Sequence, residues 1–89
     1  MVLFQAEFSS KSEKYINKLD KITSKRIKQK IDELERNPFP KEVERVEDYK
    51  GEKTFRVRVG KQRILYFVRH NLNRLIIIKI DKRSKVYDK

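Results

Sequence analysis

What this sequence lacks narrows its chemistry before any motif is considered. There is no cysteine, so a disulfide framework, a thiolate metal site and a cysteine nucleophile are all unavailable. The single histidine, His70, stands beside Asn71 at a turn signal with no second imidazole in the chain, whereas a metal site needs several ligands. It reads as a surface histidine, and we expect neither metal nor cofactor. No apolar run approaches the roughly 18 to 20 residues needed to span a bilayer, and the opening Met1-Val2-Leu3-Phe4-Gln5-Ala6-Glu7 has neither a basic n-region nor a cleavage site. The expectation is a cytoplasmic protein with no membrane contact. Two glycines and two prolines, with no Ser/Gly-rich linker, repeat or low-complexity tract, predict one domain over residues 1–89.

Acidic residues are scarce only in the second half. Through Tyr49 the chain holds 11 Lys+Arg against 10 Asp+Glu, a balance of +1; from Lys50 to Lys89 it holds 13 against 3, a balance of +10, which completes the net +11. A segment so basic suits a polyanionic partner. Charged residues make up 42% of the chain, yet the 37% that are apolar fall in periodic blocks, which predicts a folded protein. At 89 residues it buries only about 60% of its unfolded surface, so a partner or oligomer is expected to help.

Val2, Phe4, Ala6 and Phe8 alternate with Leu3, Gln5 and Glu7, the period of a half-buried strand. Ser10 and Glu13 have the spacing of a capping box, predicting a helix that carries Tyr15, Ile16 and Leu19 on one side. Asp20, Thr23 and Ser24 offer a break and a new cap. Ile27, Ile31 and Leu34 then recur at i, i+4 and i+7 until Asn37-Pro38 stops the run. Pro38 to Tyr49 shows no period and reads as loop, with Phe39, Val43 and Val46 as anchors. From Thr54 the period becomes two, and strands at Thr54 to Val59, Gln62 to Arg69 and Arg74 to Ile80 are joined by Gly60-Lys61 and Asn71-Leu72-Asn73. The fold class is α+β: a four-stranded, mainly antiparallel sheet with an N-terminal helical hairpin packed on one face, in the order β-α-α-β-β-β.

Strand parity then predicts the two faces. Phe55, Val57, Val59, Ile64, Tyr66, Val68, Ile76, Ile78 and Ile80 make an apolar face for the helices. The other face carries Arg56, Arg58, Arg63 and Arg69 beside Leu65, Phe67, Leu75 and Ile77. Two short helices cannot cover both, so the chain's last residues or a partner must cover these apolar groups.

Arg56, Arg58 and Arg63 could converge on one patch, where guanidinium groups hold a phosphodiester and neutralise the charge of its transition state. Alternate charged residues can equally mark a solvated strand; the +10 segment and Arg83 favour phosphate binding. Tyr87, within a basic ending, either stacks on a base or packs the tail. Glu52 and Asp81 are the acids between Lys50 and Tyr87 and read as partners for neighbouring lysines.

The Tyr49-Lys50-Gly51 turn before a strand of alternating basics, Gln62-Arg63-Ile64-Leu65-Tyr66, and the ending Asp81-Lys82-Arg83-Ser84-Lys85-Val86-Tyr87 resemble the RelE toxins of the RelE/ParE superfamily over nearly the whole chain. The lysine- and isoleucine-rich composition is similar to that of archaeal members. The resemblance implies a type II toxin that cuts messenger RNA in the ribosomal A site by metal-free attack of the ribose 2′-hydroxyl. It implies phosphate clamping by Arg56, Arg58 and Arg63, transition-state or leaving-group stabilisation by Arg83, base stacking by Tyr87, and further RNA contacts from Lys50, Lys61, Lys82 and Lys85. Relatives often place lysine on the second strand as the proton acceptor; arginine, with a pKa above about 12, is poorly suited to that. Glu47 matches a glutamate that serves as base in the related YoeB toxins, against its reading as a solvated loop acid beside Asp48. A RelB-type antitoxin, forming a hetero-oligomer over Leu65, Phe67, Leu75 and Ile77, is also implied. Two alternatives share these residues: a ParE-like toxin that inhibits DNA gyrase without cutting RNA, and a non-catalytic RNA-binding module.

Overall fold

The computed structural model describes residues 3–82. Strand β1 (Gln5–Phe8) leads into helix α1 (Ser10–Lys18), and α2 (Lys21–Arg36) follows after a two-residue break. Strands β2 (Glu44–Tyr49), β3 (Glu52–Val59), β4 (Gln62–Arg69) and β5 (Arg74–Lys82) complete one five-stranded sheet in the order β1-β5-β4-β3-β2. Consecutive pairs from β2 to β5 are antiparallel, and β1 lies parallel to β5 with Ala6 opposite Leu75.

Each helix begins on a side-chain cap. Ser9, not Ser10, caps α1: its backbone is extended and its Oγ accepts from the Ser12 amide at 3.1 Å, so the cap lies one residue before the expected position and Ser12 stands where a capping box would need Glu or Gln. Asp20 caps α2, accepting from the Thr23 amide at 2.9 Å; those backbone bonds hold its carboxyl below the usual value. Ile16, Ile27, Ile31 and Leu34 bury against Val57, Ile64, Tyr66, Ile77 and Ile80, which places the core between the helical hairpin and one sheet face. Fully burying such a side chain is worth about 1.5 to 3 kcal/mol, so this layer supplies most of the drive to fold.

Two departures from the sequence reading shape the opposite face. The stretch expected to be loop contains β2, so the sheet has five strands, not four. Its residues Glu44, Arg45, Glu47, Asp48 and Tyr49 are exposed, and an edge strand with no face to bury needs no apolar alternation. In addition, the β4/β5 register slips: Leu65 pairs with Lys79, but Tyr66 pairs with Ile77, leaving Ile78 as an extra residue. A slip of one residue moves every side chain beyond it to the other face. Leu75 and Ile77, expected on the open face, therefore have 0% exposure in the core, while Ile76 and Ile78 turn outward and are half-buried.

The hairpin turns follow their glycines. Lys50 and Gly51 both have positive φ, 50° and 82°, as a two-residue type I′ turn between paired Tyr49 and Glu52 requires.

Candidate nucleic-acid interface

The sheet face away from the helices is built by β3 and β4. Arg56 lies opposite Leu65 and Arg58 opposite Arg63, so alternation puts all three arginines on this face, as parity predicted. Like charges directly opposite each other are unfavourable, which makes the Arg58/Arg63 pair a position where a bound anion would relieve repulsion.

The three guanidinium groups have different surroundings. Arg58 is exposed and, among the described residues, makes no ion pair. Arg56 is half-buried and donates from Nε at 3.1 Å and Nη2 at 2.7 Å to Glu44 Oε1. That bond, with the charge of Arg56 behind it, holds the Glu44 carboxyl below its ordinary value. Arg63 has only 5% exposure and donates from Nε at 3.0 Å and Nη2 at 2.9 Å to Asp81 Oδ1. Asp81 was expected to serve lysines; it does meet Lys79, at 3.5 Å, but its nearer partner is Arg63.

Beside these cations runs a groove of about 520 Å³, lined by Glu47, Asp48, Arg56, Arg63, Leu65 and Ile78 among others. Glu47 sits where the β2/β3 register breaks between Val46 and Tyr49, which carries this exposed carboxylate into the same groove as two arginines. Asp48 is occupied by Arg45 at 2.6 Å. A second groove of about 330 Å³ adjoins the first, sharing Tyr49 and Ile78, and is lined by Lys50, Phe67, Arg69 and Ile76 as well. Arg69 lies 5.3 Å over the Phe67 ring. The apolar residues of this face are thus half-buried Leu65, Ile76 and Ile78 with buried Phe67, rather than Leu65, Phe67, Leu75 and Ile77.

Lys50 is held above the Tyr49 ring at 5.3 Å, and Lys61 and Lys82 are exposed at the β3/β4 turn and the end of β5. Arg83, Lys85 and Tyr87 lie outside the described residues. His70 is exposed, stacked 6.0 Å from Phe39 and edge-on 5.9 Å from Phe4. Among the described residues, no group of three or more His, Cys, Asp or Glu is placed to hold a metal ion, and no helix is long and apolar enough to cross a membrane.

Glu44 was missed by sequence reasoning because its role depends on β2 pairing with β3, which aligns it with Arg56. Its only sequence signal is a carboxylate among Glu44, Glu47 and Asp48 ahead of the Lys50-Gly51 turn.

Comparison with known proteins agrees with this fold. A family model described as "ParE toxin of type II toxin-antitoxin system, parDE" matches residues 2–87. A curated relative, "Putative toxin RelE1" of the archaeon Methanocaldococcus jannaschii, is 34% identical over 85 residues, 94% of each chain. The fold matches the archaeal RelE-RelB complex from Pyrococcus horikoshii with a TM-score of 0.81 at 24% identity, covering 94% of this chain and 99% of that one. It also matches the RelBE2 toxin-antitoxin complex from Mycobacterium tuberculosis with a TM-score of 0.79 at 21% identity, covering 96% and 97%.

Proposed function

Starting from the fact that this chain belongs to the ParE toxin family of type II toxin-antitoxin systems, we propose that it is a ribosome-dependent endoribonuclease that cleaves messenger RNA in the A site and so stops translation. The observation that carries this reading is the exposed Arg58 facing Arg63 across β3 and β4, with the Glu47 carboxylate in the adjoining groove.

Each group has a definable task. Arg58, unpaired among the described residues, binds a non-bridging oxygen of the scissile phosphate. Arg56 adds a second donor while Glu44 fixes its orientation. Arg63, held by Asp81, supplies a fixed positive charge beneath the phosphate as negative charge develops there. Glu47 accepts the proton of the ribose 2′-hydroxyl. The 2′-oxygen then forms a bond to the adjacent phosphorus, the bond to the 5′-oxygen breaks, and that oxygen takes up a proton. The products are a 2′,3′-cyclic phosphate and a 5′-hydroxyl end. On the resemblance alone, Arg83 stabilises the leaving oxygen and Tyr87 stacks on a base.

A RelB-type antitoxin is the partner that fits the remaining surface. Leu65, Ile76 and Ile78 are half-buried beside the arginine groove, and the archaeal and mycobacterial structures that share this fold are toxin-antitoxin complexes. An antitoxin segment seated there would cover apolar surface and cations together.

A second reading has the family model's own description in its favour: a ParE-like toxin that inhibits DNA gyrase and leaves RNA intact. Expression of the chain without its antitoxin, with transcript ends sequenced during growth arrest, separates the two. Cuts within codons of translated messages support the endoribonuclease. Intact transcripts with accumulating DNA breaks support the gyrase inhibitor.

A further inference from the structure

Strand β2 carries two neighbouring acids at its register break, and they are not equivalent. Glu44 pairs with Arg56, Arg45 with Phe55 and Val46 with Thr54, and pairing resumes at Tyr49 with Glu52. Glu47 and Asp48 therefore stand opposite Lys53 alone, the two-against-one arrangement of a β-bulge. In an unbroken strand, alternation would put Glu47 on the face of Arg45 and Asp48 on the face of Glu44 and Val46. Here it is Asp48 that meets Arg45, Oδ1 to Nη1 at 2.6 Å, while Glu47 makes no ion pair among the described residues.

One guanidinium holds the bulge at several points. Besides Asp48, Arg45 Nη1 donates to the Val46 carbonyl at 2.6 Å and to the Thr54 carbonyl of β3 at 3.4 Å, and the group lies 5.6 Å over the Phe55 ring. The other end is fixed by buried Thr54, whose Oγ1 accepts from the Tyr49 amide at 3.0 Å and donates to the Glu52 carbonyl at 2.9 Å. Glu47 lies between these anchors. The side chains of Arg45 and Asp48 are 45% and 47% exposed, and a pair so open contributes little to stability. What it can fix is direction, since bulges beside active sites re-aim side chains.

We propose that Arg45 is a positioning residue: by engaging Asp48 and pinning the bulge, it leaves Glu47 as the carboxylate that accepts the 2′-hydroxyl proton and holds it toward the arginines. This rests on the role given to Glu47 in the proposed function. The charged and titratable groups that share its groove are Asp48 and Tyr49 of β2, Arg56 of β3, Arg63 of β4 and Lys79 of β5, with Glu44 engaged by Arg56 and Asp81 by Arg63. Arg45 itself touches no reacting atom.

The test is single-turnover cleavage on programmed ribosomes across pH, for the parent chain, Arg45→Ala, Arg45→Lys and Asp48→Ala, with urea midpoints alongside. Both alanine variants loosen the bulge, so the rate at saturating ribosomes should fall about 10- to 100-fold with little change in the half-saturating concentration. Their pH profiles should move in opposite directions. Arg45→Ala removes a cation and frees the Asp48 charge beside Glu47, so the acidic limb should rise by about 0.5 to 1 pH unit; Asp48→Ala frees the Arg45 charge and should lower it. Arg45→Lys keeps the cation and should recover the parent's limb. Unchanged rates, or losses that follow the urea midpoint with no opposed movement of the limb, overturn the inference. If Glu47→Gln cleaves as the parent does while Arg58→Ala does not, the inference falls and the endoribonuclease reading stands. No cleavage by the parent chain overturns both.

Discussion

Arg58 and Arg63 face each other across two strands, yet their surroundings give them different work. Arg58 is exposed, so Arg58→Ala should lower cleavage by about 10² to 10³, the loss typical of one transition-state donor, with unfolding free energy within about 0.5 kcal/mol of the parent. Single-turnover cleavage beside urea titration measures both. Arg63 has 5% exposure and is tied to Asp81. Arg63→Ala strips a partly buried carboxylate of its partner and should cost about 1 to 3 kcal/mol in the same titration. Loss of toxicity in that variant alone would therefore be ambiguous, and Arg58→Ala is the cleaner probe. Sequence parity placed both arginines correctly on one face; it could not show which was solvated, because burial of Arg63 depends on Asp81 arriving from β5. The carboxylate best engaged with the cluster, Glu44, was invisible for the same reason: its partner lies 12 residues away across a pairing the composition does not announce.

At the scale of elements, the helices were the most legible part. Ile27, Ile31 and Leu34 keep the period of the buried stripe, and the only error was one residue in the α1 cap. Ser9→Ala should cost about 1 kcal/mol, and Ser10→Ala almost nothing, in thermal or urea unfolding. Strand β2 escaped notice because an exposed edge strand carries no alternation. The β5 bulge escaped because Leu75 to Ile78 is a continuous apolar run, in which a one-residue slip leaves the pattern unchanged. It exchanges the core pair Leu75 and Ile77 for the surface pair Ile76 and Ile78. Ile77→Ala should thus cost about 2 to 5 kcal/mol in the isolated toxin. Ile78→Ala should cost clearly less and instead weaken antitoxin binding, as titration calorimetry would register.

Across the whole molecule, the core lies between the helical hairpin and one face of the sheet, and the arginines of β3 and β4 lie on the other face. The ion pairs and caps make stability depend on pH in a definable direction. Asp20, Glu42 and Glu44 have carboxyls held below their ordinary values, by the Thr23 backbone, Lys30 and Arg56 respectively. Their contribution is complete above the ordinary carboxylate range of about 3.9 to 4.3 and is lost as pH falls through it and below. Burial, more than any neighbouring charge, raises the Tyr15 and Tyr66 hydroxyls, so their neutral forms favour the fold below about pH 10, and stability declines as pH rises beyond that. Urea midpoints measured across pH should trace a plateau with losses at both ends. The central claim, that the arginine face cuts messenger RNA on the ribosome, is tested most directly by mapping the 5′ ends of a defined message incubated with the purified chain, with and without programmed ribosomes. The account predicts 5′-hydroxyl ends within the A-site codon only when ribosomes are present, and their disappearance with Arg58→Ala. An intact message on programmed ribosomes, or equal cleavage by the Arg58→Ala variant, would contradict it.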